Sequence, residues 1–456
     1  MLASIANTFA NCFKIPELKS RILFTLLLLA ICRLAAIVPI PGLDGGALRE
    51  FFEQQASKSG SSLLGMYSLF TGGAMERCAI AALGIMPYIS ATIILQLLTA
   101  VVPSLSKMAR EEGGRPKIIQ YGRYLTVILC LGQGLVMAIG WENPEKLFGG
   151  SFERKLVLIE PIWWYRLQTT LILTTGTMLL MWLGEQITER GIGNGVSLVI
   201  TIGILARLPA AFQALRDMFL QESKFNVFHG ITLIILLVVV VAGVIAVTQA
   251  QRKIPVQYAA RTVGRRSYPG MSSYMPLRVN YSGVMPIIFA QAILMFPDKI
   301  LTVLGQKYDL PLFLGIAQRF REGDPFYLIL YGAMILFFSY FWVATQFNEL
   351  QISDDLKKHG GYIPGVRPGQ ATSAFLHHAM SRITLAGAIF LTVIAVIPIL
   401  MNSSMQVPYY VASFFGGTSI LILVGVLLDT MRQVETFLLM RHYDGFLKKG
   451  RLRGRF

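Results

Sequence analysis

The sequence predicts an all-α membrane protein with ten transmembrane helices, and three observations carry that prediction. Ten apolar stretches recur along the 456 residues, at 22–40, 78–102, 118–139, 165–183, 193–208, 230–249, 282–304, 326–347, 383–400 and 412–431. A hydrocarbon core about 30 Å thick is crossed by roughly 20 apolar residues in helical form, and the stretches are of that order. The composition is 54% hydrophobic and 14% charged, too apolar for a soluble chain of this length. The basic residues are also sorted by side. An even number of spans puts both termini on one face, which holds about 26 of the 41 Lys and Arg against about 14 opposite, with Arg33 left inside the first span. The positive-inside rule reads the face with the termini as cytoplasmic.

In chain order, residues 1–21 form an amphipathic lead. Phe9, Phe13, Ile15 and Leu18 alternate with Lys14 and Lys19, a pattern suited to the cytoplasmic membrane surface. The first apolar run has no small-residue cleavage site, so no cleavable signal is expected. The outer loop after the first span holds a short apolar segment, 63–70, too short to cross a bilayer. Gly72 and Gly73 separate it from the next span. A re-entrant element or plug and a helix lying on the outer face both fit this pattern. In the second span, Pro87 predicts a mid-helix kink. Ile85 and Ile89 share a helix face, and Val196 and Ile200 repeat the spacing in the fifth span. The glycines of Gly191-Ile192-Gly193-Asn194-Gly195 have no preceding strand and no following Lys-Ser or Lys-Thr. They read as a tight turn into the fifth helix with Asn194 near its cap, and not as a phosphate loop.

The second half begins after a connector, 209–229. Loop 250–281 carries Arg252, Lys253, Arg261, Arg265, Arg266 and Arg278 with no acid, interleaved with Tyr258, Tyr268 and Tyr274. Topology alone accounts for much of this charge. The loop's length and its tyrosines also suit docking to an acidic partner, either ribosomal RNA or an acidic protein surface. Loop 348–382 and the tail 432–456 complete the cytoplasmic face. No catalytic constellation, metal-ligand spacing, cofactor motif or disulfide framework is present: His359, His377 and His378 lack ligand-spaced partners, and the four cysteines lie in the lead or in spans. The ionisable residues of the spans, Arg33, Arg166, Glu185 and Asp429, lie mostly where they could snorkel to an interface. A ten-span carrier for a small solute would instead hold ligands near the midplane. A scaffold without a pore would keep its ion permeability when Ile85 or Ile288 is replaced.

Eight strings in order resemble the SecY family, the channel subunits of the bacterial protein-export translocon. They are PIPG at 39–42, GIMPYISATIILQLL at 84–98, WLGEQITERGIGNG at 182–195, QRKIPVQYA at 251–259, GVMPIIFA at 283–290, PGVRPG at 364–369, GGTSILI at 416–422 and GFLKKGRLRGR at 445–455. The resemblance spans nearly the whole chain.

What the resemblance implies is a passive protein-conducting channel and not an enzyme. Two pseudo-symmetric five-helix halves, 22–208 and 230–431, would surround a central pore. A ring of Ile85, Ile89, Val196, Ile200, Ile288 and Ile422 would seal its waist, with Val196 standing where family members often have Ile. The apolar segment 63–75, with Leu63, Leu64, Met66, Leu69 and Phe70, would be the plug. Arg252, Lys253, Arg265, Arg266 and Arg367 would dock the SecA motor ATPase or the ribosome, although Ala260 stands where many relatives carry Lys. SecE and SecG small subunits, signal-bearing preproteins and membrane lipid complete the implied partners. The implied location is the bacterial inner membrane.

Overall fold

The computed structural model describes residues 15–50, 71–111, 113–142, 156–221, 227–258, 261–263, 266–268, 272–307, 311–320, 324–405 and 418–449. The chain divides into two compact units, residues 1–217 with 422–456, and residues 218–421. In the first unit, α1 (Pro16–Ala35), α2 (Met86–Val101), α3 (Pro103–Arg110), α4 (Gly114–Glu142), α5 (Ile162–Arg190) and α6 (Gly195–Ala206) follow one another. A further helix, α7 (Leu208–Gln221), runs up to the boundary between the units. The second unit holds α8 (Val227–Gln249), strands β1 (Gln251–Tyr258), β2 (Arg261–Val263), β3 (Arg266–Tyr268) and β4 (Ser272–Arg278), then α9 (Met285–Lys307), α10 (Pro311–Arg319), α11 (Pro325–Gln346), α12 (Glu349–Lys358), β5 (Gly361–Tyr362) and α13 (Gln370–Met405). The last helix, α14 (Thr418–Lys449), runs mainly in the first unit.

Every predicted apolar stretch carries a helix. Among the described residues, six helices are long and apolar enough to cross a bilayer, and a seventh if α2 and α3, bent by 104°, count as one span. The lipid-facing character is plainest in α8. The window 230–249 has a mean hydropathy of 3.2 and only 17% of it is buried within the protein. Its Ile231, Ile234, Ile235, Val238 and Val239 face outward, an arrangement that water would penalise and lipid tails accept.

Two predicted features of the second span are corrected. Its helix starts at Met86, well after residue 78, and Pro87 lies in its first turn. A proline there gives up an amide hydrogen that the first turn could not have bonded, so it starts the helix and does not kink it. Residues 71–85 form a succession of turns instead. This irregular backbone is buried in protein, as such a segment at membrane depth requires. Ile40 N–H donates to the Cys78 carbonyl (2.8 Å), Ile80 N–H to the Val38 carbonyl (3.0 Å), and Ala81 N–H to the Ala35 carbonyl (3.3 Å). Gly176 of α5 lets the Ile80 carbonyl come so near that a Cβ would collide with it.

Packing inside a membrane cannot rely on expelling water from between helices, so close contact and satisfied polar groups must hold the bundle. Hydroxyls bond one turn back along their own helices, as Thr25 does to the Arg21 carbonyl, Thr174 to Thr170 and Ser339 to Ile335, each at 2.8 Å. The ionisable residues at the ends of α5 find partners on α4, where sequence reasoning expected snorkelling. Arg166 pairs with Glu142 at 2.6 Å and Glu185 with Arg123 at 2.8 Å, clamping both ends of the antiparallel pair. Cys32, Cys78 and Cys130 are free and buried.

A third correction concerns the basic loop. Residues 251–278 are largely strand: β1 pairs antiparallel with β4, and β5 of the following loop adds to the other edge of β1. The alternation that builds this sheet is visible in β1, whose Ile254 and Val256 point inward while Arg252, Lys253, Pro255 and Gln257 point out. Ile254 and Leu277 pack with Ile363, Val343, Phe347 and Leu376, fixing the ribbon to the ends of α11 and α13.

Candidate functional site

In the first unit the structure puts Ile85 immediately before α2 and Ile89 one turn into it, with Ile89 N–H donating to the Ile85 carbonyl at 3.2 Å. Both side chains are almost inaccessible, at 2% and 4% exposure. Val196 and Ile200 lie one turn apart on α6, half-buried and buried respectively. Asn194 caps that helix as expected, its Oδ1 accepting from Ser197 N–H at 3.3 Å. The glycine turn before it is pinned by Thr25 and Gln433, whose side-chain oxygens accept from the amides of Ile192 and Gly193. Ile422, early in α14, is buried, and so is Ile288 in α9 of the second unit.

A small cavity of about 20 Å³ lies beside Ile85, large enough for one water. Its walls include Val199, Ile202 and Gly203 of α6, Arg33 and Cys32 of α1, and Thr71. On α6, Gly203 lies two turns beyond Val196 on nearly the same face, with Val199 and Ile202 to one side of it.

Sequence reasoning singled out Arg33 as an ionisable residue within a span and missed its role. Its Nη1 and Nη2 both donate to the Gly72 carbonyl at 3.4 Å. Glu76 and Arg207, neither of them singled out, form a nearly buried ion pair at 2.6 Å. The available signal was an arginine in an apolar run facing a glycine pair, since a charge at that depth calls for a polar partner. The expected plug residues Leu63, Leu64, Met66, Leu69 and Phe70 lie outside the described residues, as does the lead before residue 15.

In the second unit, Arg252 and Lys253 are exposed on β1, paired with Leu277 and Pro276 of β4. Tyr274 is 63% exposed on the same ribbon. Arg266 falls in β3, while Arg265 lies outside the described residues. Arg367 is exposed in the turn between β5 and α13, and that turn is held rigidly. The Thr372 hydroxyl donates to the Arg367 carbonyl at 2.9 Å, and the Ser353 hydroxyl to the Gly369 carbonyl at 2.6 Å. Since β5 pairs with β1, the two basic loops form one surface. The histidines have local partners: His377 meets Glu349 at 3.0 Å and His359 the Asp355 carbonyl at 2.7 Å.

Comparison with known proteins bears on both regions. The sequence model of the SecY family matches residues 79–431. The protein translocase subunit SecY of Thermotoga maritima is 42% identical over 453 residues, covering 98% of this chain and 99% of the relative. Among solved structures, one described as a protein-conducting channel aligns with a TM-score of 0.61 at 17% identity, over 95% of this chain and 94% of its own. Sec61 in a canine ribosome–channel complex from the endoplasmic reticulum aligns at 0.59 with 16% identity, over 95% and 94%. At those identities the structural likeness speaks to the fold.

Proposed function

The chain belongs to the SecY family, and on that premise we propose that it is the central channel of a protein translocase. Unfolded polypeptides bearing signals cross the membrane through it, and apolar segments leave sideways into lipid. The observation that carries this reading is the match to a translocase subunit along essentially the whole chain. The channel is passive and not an enzyme; its partners supply the energy.

In this reading ten spans, in two pseudo-symmetric halves over 22–208 and 230–431, enclose the pore. The helix found in each of the ten apolar stretches supports that count. Ile85, Ile89, Val196, Ile200, Ile288 and Ile422 form the seal. Bulky aliphatic side chains exclude water and ions by dewetting, and they part around a chain without demanding a sequence. The near-complete burial of Ile85, Ile89, Ile200 and Ile422 in the first unit supports their part in an apolar seal. Segment 63–75 is the plug. The basic sheet, with Arg252, Lys253, Arg265 and Arg266, and the rigid turn at Arg367 dock the SecA motor or the ribosome. A ribosome-bound structural neighbour supports the second partner. SecE and SecG complete the complex. The bacterial inner membrane is its location, with both termini cytoplasmic, as the charge asymmetry indicates.

The test is reconstitution. The purified chain with SecE and SecG in liposomes, given SecA and ATP, should protect a preprotein from external protease only when its signal is intact. No protection, with each component separately active, would overturn the channel reading and make solute uptake the next assay.

A further inference from the structure

The ring and the docking surface leave unused a charged cluster where residues 71–77 meet α1 and α6. Four observations converge there, all within the first unit. Glu76 and Arg207 pair at 2.6 Å with each side chain only 13% exposed. Arg207 sits at the carboxyl-terminal cap of α6, where the helix dipole favours a cation. Arg33, from α1, holds the Gly72 carbonyl with both terminal nitrogens. The backbone is shaped to receive these groups. Gly72 and Gly73 have φ of +63° and +83°, a Cβ on Gly72 would collide with Arg33 Nη1, and one on Gly73 would lie 3.1 Å from Arg207 Nη2. Arg77 and Arg207 are each near enough to Arg33 to act on it as like charges, with Glu76 set against Arg207.

We propose that Glu76 and Arg207, backed by Arg33, form an ionic latch that seats residues 71–77 on α1 and α6 and so sets how tightly the idle channel is sealed. The latch rests on reading 63–75 as the plug, whose carboxyl-terminal root is the part it holds. A paired charge shielded from water is screened little by salt, and it becomes costly to keep in place once its partner is removed. The two partners are not equivalent. Neutralising Glu76 takes away the anion set against Arg207 beside Arg33. Neutralising Arg207 strands the Glu76 carboxylate, but it also removes one like-charged neighbour of Arg33, which keeps its bond to Gly72.

The experiment measures idle ion conductance of the purified chain with its small subunits in planar bilayers, using potassium chloride as the probe. Glu76→Gln should raise conductance by about tenfold, as expected for a buried pair that loses one charge. Arg207→Gln should raise it less, and the exchange E76R/R207E should bring it back close to the parent level. Deletion of 63–70 serves as the control for the plug. If both single variants matched the parent while the deletion leaked, the latch would be wrong. An exchange as leaky as E76Q would also overturn it, because a pair that matters only by charge must survive reversal. A silent deletion would overturn the plug reading instead. Should E76Q not assemble, R207Q against the exchange carries the same comparison.

Discussion

Gly176 shows how much one position can constrain a membrane bundle. The Ile80 carbonyl lies where its Cβ would be, so Gly176→Ala forces either α5 or the buried turns of 71–85 to move. Overpacking of this kind costs about 1–3 kcal/mol. Thermal unfolding of the purified complex in detergent should show that loss, with an alanine at the unobstructed Gly132 as the neutral control. Ile422 presents the opposite problem. At 1% exposure it has no room for solvent, so Ile422→Asn buries an amide worth about 1–3 kcal/mol if left unbonded. In a ring that seals by apolar contact, the amide should also loosen the seal. Preproteins with weakened signals should then be exported at rates nearer those of intact ones, and unchanged stringency would count against this residue's place in the ring.

At the scale of elements, the basic loop is the instructive case. Its cations were legible from the sequence, but its strands were not. Pro255 within β1 and Pro276 within β4 each leave the ladder one donor short, since a proline has no amide hydrogen to give. The sheet tolerates both because alternate residues are anchored from below: Ile254, Val256 and Leu277 are buried while their neighbours stay in water. That dependence can be tested. Ile254→Asp places a carboxylate at a site with 3% exposure, an unpaired burial costing several kcal/mol, so the ribbon should detach from α11 and α13. Limited proteolysis should then cut within 251–278, and ribosome and motor binding should fall together while the helices remain folded. The start of α2 was misread for a related reason. Pro87 was assigned by its position within an apolar run, whereas its effect depends on where the helix begins.

For the whole molecule, the distribution of charge makes the strongest prediction. Net charge is +16, and on the proposed ten-span topology the excess would fall on the face with both termini. A reporter enzyme fused after Phe456 should therefore be active only if it is a type that works in the cytoplasm; activity of an exported-only reporter there would refute the orientation. On that proposed topology the same face would carry Arg252, Lys253 and Arg367, on two loops that β1 and β5 join.

The sequence by itself determined the class, the neighbourhood of each helix and the family, because hydrophobic length and motif order are local properties that survive without a fold. It also marked the glycine turn into α6, where Asn194 caps the helix as its chemistry requires. The tertiary structure alone decided that 71–85 is buried turn rather than helix, that two basic loops share a sheet, and that Arg33, Glu76 and Arg207 find partners inside the protein. Each of those outcomes joins residues far apart in sequence, and in a medium without water the choice among conformations falls to whichever distant groups can satisfy a buried charge or amide.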